Sequence, residues 1–199
     1  MPKISLIIPI HDMKDGAFFL WRAINSIMEQ TFKDYEIILT KEGKMAENTN
    51  AGIKKAKGEL IKILYMDDWL ANPRALELMA YAFDVNKDLN KGEWLICATD
   101  TNPKPEWTND IETGNNKLGS PSALMFRNHF EDNLLFDERM SWLLDCDLYK
   151  RMYEKYPFPQ LFFLDEIMVN IGVHDGQMTN ILTDEEKLLE HKIIKQKYA

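Results

Sequence analysis

At 199 residues and a formal net charge of -8, the chain is long enough to bury a sizeable core and too acidic to bind nucleic acid by phosphate neutralisation. Hydrophobic residues at 45% and charged residues at 28% match a soluble globular protein, and one domain over 1–199 is expected. The two cysteines, Cys97 and Cys146, stand apart in apolar or helical contexts, which argues against a disulfide framework or zinc site and predicts buried free thiols.

The opening MPKISLIIPIHD has a short apolar core, little basic flank and an early Pro9, so it does not read as a signal peptide. No segment approaches the roughly 18 apolar residues of a membrane span. A cytoplasmic location is expected, with peripheral contact to a membrane surface left open.

Ile4 to Ile10 is a continuous β-rich run, the pattern of a strand buried on both faces. Leu20, Ile24, Ile27 and Met28 then recur at helical spacing, and Tyr35 to Thr40 is a second strand. Thr49 to Lys57 reads as a short helix closed by Gly58, a C-terminal signal. Leu60 to Met66 is a third strand interrupted only by Lys62, and Pro73 opens another helix. Glu93 to Asp100 is a fourth strand. This alternation predicts an α/β fold with a parallel sheet and right-handed crossovers.

Thr101 to Gly119 is polar and without period, the character of a binding loop or lid. A helix is expected around Leu144 to Tyr156, strand structure over QLFFLDEIMVNIGV, and an amphipathic helix over Asp184 to Tyr198. Leu188, Leu189, Ile193 and Ile194 of that last helix are available for burial. Its acidic start and basic end suit the helix dipole.

Ligands of open parallel sheets bind beyond the carboxyl ends of strands, and three predicted strand ends here carry polar pairs: His11-Asp12, Lys41-Glu42 and Asp67-Asp68. Adjacent carboxylates repel and need a cation, a helix N-terminus or solvent. Asp67 and Asp68 therefore either cap the following helix or hold a hard divalent cation together with substrate phosphates. A second acidic pair, Asp145 and Asp147, reads either as a metal motif or as acids in the first turn of a helix. His174 precedes a glycine turn, and its ordinary reading is structural; His129 and His191 read as surface residues. Backbone amides near Gly119 and Ser120 could meet sugar hydroxyls or phosphate, or form a plain turn. Trp107, alone in the polar loop, is a candidate platform for an acceptor sugar.

The stretches ISLIIPIHD, AINSIMEQTFKDYEIIL, NAGIKKAKGELIKILYMDDWLANPRAL and FDERMSWLLDCDLYKRM resemble the family 2 inverting glycosyltransferases of GT-A fold. Ser26, Gln30, Glu36, Asn50, Gly52, Ala56, Gly58, Glu59, Asp68 and Pro73 stand at matching places. The resemblance implies a Rossmann-like, mostly parallel sheet flanked by helices, with a nucleotide-binding half over 1–100 and an acceptor-binding half over 101–199. It implies a nucleotide-sugar donor, UDP-sugar favoured, a hydroxyl acceptor on a glycan or other molecule, and Mn2+ or Mg2+. It gives Asp68 the metal contact, with His174 at the metal or diphosphate. Pro9, His11, Glu42, Asn50 and Asp67 fall on the nucleotide. Asp145 becomes the general base, and Asp147 fixes the helix.

The sequence departs from the family in four places. KEGK stands where Asp-Asp-Gly-Ser is usual, His11 replaces an aromatic, Leu144 replaces a glutamate, and a helix and strand before Asn50 are missing. Two alternatives remain: a sugar-phosphate nucleotidyltransferase, for which no Gly-rich triphosphate loop is present, and a non-catalytic binding module.

Overall fold

The computed structural model describes residues 1–87, 92–128 and 134–199. Strands β1 (Ile4–Pro9), β2 (Tyr35–Thr40), β3 (Leu60–Ile63), β4 (Trp69–Leu70), β5 (Trp94–Thr99), β6 (Leu124–Arg127) and β7 (Leu161–Asn170) form one seven-stranded sheet in the order β2-β1-β3-β6-β5-β7-β4. Helices α1 (Gly16–Met28), α2 (Met45–Lys55), α3 (Ala75–Lys87), α4 (Leu144–Lys155), the short α5 (Met178–Ile181) and α6 (Asp184–Lys197) complete it. The expected α/β architecture is present.

Every residue of β1, β3 and β5 is buried, Ser5 and Lys62 included, as expected of predominantly apolar strands covered on both faces. Parallel pairing dominates: β1 lies between β2 and β3, and β5 follows β7, in ladders longer than the antiparallel ones. Three short antiparallel ladders were not foreseen. β6 inserts between β3 and β5, and β4 pairs with the end of β7. The long segment before β6 lets the chain re-enter the sheet from the opposite end, which a short crossover could not do.

Several boundaries differ from the sequence pattern. The third strand stops at Ile63, because the chain turns through Tyr65–Asp68. α2 starts at Met45, where the Glu47 carboxylate accepts the Lys44 N–H at 2.7 Å, and it closes at Lys55 with Ala56 already extended. Gly58 is thus not the helix terminator. It is where the chain touches β1: its N–H donates to Ser5 Oγ at 2.8 Å, and a Cβ there would lie 2.6 Å from the Ser5 nitrogen. Both cysteines are free and buried, as expected. On α6, Ile194 is buried, but Leu188 and Leu189 are exposed, since that helix is held by polar contacts instead. His191 is half-buried and edge-packed on Trp142 rather than free on the surface, and His129 lies outside the described residues. No helix among the described residues is long and apolar enough to cross a membrane.

Because the atoms facing Gly58 belong to the β1 backbone, they cannot step aside. Gly58→Ala is expected to destabilise the fold by about 1–3 kcal/mol, read as a lower denaturant midpoint with an unchanged m-value.

Candidate functional site

Beyond the carboxyl ends of β1 and β3 lies a cavity of about 700 Å³. His11, Asp67, Asp145, His174, Gly119 and Ser120 all line it, although they come from five separate stretches of chain.

Asp67 and Asp68 do not cap α3. That end is closed by Asn72, whose Oδ1 accepts the Arg74 N–H at 2.9 Å. Instead the two aspartates diverge on the turn after β3. Asp67 faces the cavity, and its Oδ2 lies 2.9 Å from His174 Nε2. Nδ1 of that imidazole accepts the Gly176 N–H at 3.1 Å, so the ring proton sits on Nε2 and is donated to Asp67. The ring also stacks on Phe19, with centroids 5.1 Å apart. Arg22 donates to the Asp67 carbonyl at 2.5 Å while its guanidinium lies 3.6 Å over the Trp69 ring. Gly172 presses against the same carbonyl, where no Cβ would fit.

Asp68 points the other way and is 2% exposed. It accepts the Gly172 N–H at 2.8 Å and a bond from the Ser122 side chain. Burial, and the Asp67 charge beside it, push its carboxyl up to about 7. Asp68 therefore braces the cavity from behind, and the carboxylate of the pair that lines it is Asp67.

Asp145 sits in the first turn of α4, half-buried. Its Oδ1 accepts the Cys146 N–H at 2.8 Å, and its Oδ2 accepts Asn116 Nδ2 at 2.9 Å. Burial raises its carboxyl to about 6, against the pull of those two bonds. Asn116 also organises the wall opposite. Its Oδ1 accepts the N–H groups of Leu118 and Gly119, at 2.8 and 3.0 Å, and its amide donates to the Gly119 carbonyl at 3.1 Å. Gly119 adopts a left-handed φ of 92°, and its carbonyl takes a further bond from the Tyr149 hydroxyl at 3.2 Å. Ser120 caps the tight turn that follows. Beside this wall the Tyr65 hydroxyl is buried next to the Thr49 side chain.

Four expected residues lie elsewhere. Pro9 is a buried member of the β1–β2 ladder. Glu42 faces a separate shallow pocket and pairs with Lys55 at 2.6 Å. Asn50 is buried and ties α2 to the segment before α4, donating to the Phe136 carbonyl at 3.0 Å and accepting the Phe136 N–H at 2.8 Å. Trp107 stacks on Tyr153 at 3.8 Å and does not reach the cavity, whereas Trp142 does. Sequence reasoning weighs Trp142 but sets it aside as a core tryptophan, and it misses Asn116 and Gln177. Only Asn116 left a signal, an asparagine ahead of a glycine in a turn-forming stretch.

His11 carries a fully different environment from the acids. Its N–H donates to the Met66 sulfur at 3.2 Å, its Nε2 lies 3.3 Å from the Met45 sulfur, and burial lowers its pKa. That corner offers a flat, uncharged face suited to packing against a ring.

Among the described residues no group of three or more His, Cys, Asp or Glu side chains could enclose a metal by itself. Asp67 nonetheless fits a divalent cation that shares its shell with phosphates, with His174, both of whose ring nitrogens are engaged, orienting that carboxylate. Such ions are commonly held by one or two carboxylates.

No family model matches the chain. Uncharacterized glycosyltransferases of Rickettsia prowazekii and Rickettsia typhi are each 24% identical to it over 90% of its length. The chain spans 66% of the length of each of those relatives. Among solved structures, S. aureus TarS in complex with UDP-GlcNAc superposes with a TM-score of 0.68 at 16% identity, covering 96% of this chain and 65% of TarS. A mannosyltransferase from Pyrobaculum calidifontis in complex with GDP-Man and Mn2+ also gives 0.68, at 15% identity, covering 100% of this chain and 65% of its own. The fold of this chain is that of these glycosyltransferases.

Asn116→Ala removes a donor that favours ionised Asp145 and leaves two backbone N–H groups unpaired. The Asp145 carboxyl should then titrate above about 6, followed by 13C NMR, and stability should fall by about 1–3 kcal/mol.

Proposed function

We propose that this chain is a glycosyltransferase that moves a sugar from a nucleoside diphosphate to an acceptor hydroxyl with inversion at the anomeric carbon. The observation that carries this reading is that the Asp67–His174 pair and Asp145 face one cavity from different elements. Direct displacement at a sugar carbon needs charge control on the departing diphosphate and, on the opposite side, a base for the incoming hydroxyl.

Asp145 is the base. Its raised pKa makes it a better proton acceptor than an ordinary carboxylate while leaving it mostly ionised at neutral pH. Asn116 and the Cys146 N–H hold its two oxygens in fixed directions. Asp67 would hold the Mn2+ or Mg2+ with the donor phosphates, its carboxylate oriented by His174; the resemblance gives the metal contact to Asp68, which lies behind Asp67. The cation supplies Lewis-acid neutralisation of the diphosphate. Gly119 and Ser120 form the wall nearest Asp145, the place for the transferred sugar.

His11 and the flanking methionines offer the surface for the nucleobase. With Glu42 paired to Lys55, uridine preference has no visible acceptor behind it, and UDP- and GDP-sugars are both candidates. A binding-only module is the second reading, favoured by one observation: Asn50 and Glu42, expected on the nucleotide, are both engaged within the protein.

Calorimetric titration with UDP, GDP, UDP-GlcNAc and GDP-mannose, with and without Mn2+, decides between them. Manganese-dependent binding of one nucleotide series is expected, lost in Asp67→Asn. Asp145→Asn should bind the donor normally but turn it over about 10²- to 10⁴-fold more slowly. Because the base must be ionised, wild-type turnover should rise with pH through a midpoint near the Asp145 value of about 6. Binding with no turnover in the wild type would leave the module reading standing.

A further inference from the structure

The helix that carries Asp145 has no N-cap of its own. Leu143 occupies that position and offers no side-chain acceptor, and the N–H groups of Ser141, Trp142 and Leu143, on the chain leading into α4, need one. The acceptor comes from α6. Glu190 Oε1 accepts the N–H of Ser141 at 2.7 Å and of Trp142 at 3.2 Å. Its Oε2 accepts the N–H of Trp142 at 2.9 Å and of Leu143 at 2.8 Å. Glu190 is 6% exposed, on a helix whose other charged residues are mostly in solvent. A carboxylate so withdrawn from water is costly unless its oxygens are bonded, and here both are.

A second anchor grips α4 on the far side of Asp145. Asp147 has no solvent contact and accepts from Lys197 at 2.6 Å and from the Tyr198 hydroxyl at 2.8 Å, both at the end of α6. Asp145 thus lies between two points, Leu143 and Asp147, at which the same helix holds the backbone or side chain. Trp142, which lines the cavity, is packed from the same direction by His191.

We propose that Glu190 is the positioning residue of this site: by holding from α6 the three residues that lead into α4, it fixes the depth and direction at which Asp145 enters the cavity. The inference rests on the reading of Asp145 as the proton acceptor. Glu190 touches no substrate, so its effect should fall on turnover and not on donor affinity, which depends on Asp67 and His174 across the cavity.

The test compares Glu190→Ala with Glu190→Gln, which keeps the shape and one neutral acceptor and so guards against simple unfolding. Donor hydrolysis is followed with the nucleotide-sugar that the wild type binds. Turnover is expected to fall about 10- to 100-fold in Glu190→Ala, with KM for the donor unchanged and partial recovery in Glu190→Gln. The independent readout is the Asp145 carboxyl, titrated by 13C NMR. Its neighbours are Asn116, Cys146, Tyr65 and Tyr149. Loosening the helix end admits water to Asp145, so its midpoint should drop from about 6 towards the usual carboxylate range.

A Glu190→Gln protein that is less stable but keeps both the wild-type turnover and the wild-type Asp145 titration would overturn the inference. If instead Asp145→Asn retains turnover, the base assignment fails, and this inference falls with it. The two failures are therefore distinct.

Discussion

A lysine with no solvent contact sits at the centre of the sheet, and the cavity is built around it. Lys62 on β3 donates to the carbonyl oxygens of Ser122 and Leu124, at the point where the chain enters β6. Burial lowers its pKa, while Asp68 nearby pulls in the opposite direction. An isolated buried cation is prohibitive, so the surrounding backbone has to turn its carbonyls inward. That requirement aligns the Gly119–Ser122 wall against the end of β3. The Tyr65 N–H then bonds Ser122 Oγ at 2.9 Å, and Asp68 meets the same serine. Two stretches about sixty residues apart are locked together here, and the cavity lies just beyond the lock.

Much of this was legible in sequence. Runs such as ISLIIPI, YEIILT and EWLICATD became strands almost residue for residue; the first and last lie between two covering layers, while YEIILT forms the half-exposed edge. Lys62 was visible as the lone interruption of its strand, but which carbonyls it would reach depends on a segment far along the chain. The antiparallel entry of β6 was equally hidden: strand periodicity carries no direction. Gly58 shows a different failure, a glycine whose local reading as a helix terminator was displaced by a tertiary contact with β1.

The aspartate pair marks the limit most clearly. Two adjacent carboxylates after a strand announce a site, yet they point apart, and the turn closed by the Asp68 N–H on the Tyr65 carbonyl at 2.9 Å decides which one faces the ligand. The featureless loop from Thr101 onward likewise concealed its content. Trp107 spends its ring on Tyr153 and steadies α4, while Asn116, an unremarkable polar residue, joins Asp145 to the opposite wall. Side chains of that kind carry no periodic signature because the partners that place them, Tyr153 and Asp145, lie far along the chain.

Three carboxylates around one cavity hold three different conditions, and the environment alone divides them. Asp67 is bonded to an imidazole at the cavity face. Asp145, half-buried with two fixed donors, is held near 6, where a carboxylate both ionises and accepts a proton well. Asp68, deepest and beside a like charge, is pushed to about 7 and serves the scaffold. Pairs of acids whose surroundings drive their proton affinities apart are the usual origin of divided roles in catalysis. In this chain the division follows from depth below one surface, set by the turn after β3 and by the first turn of α4.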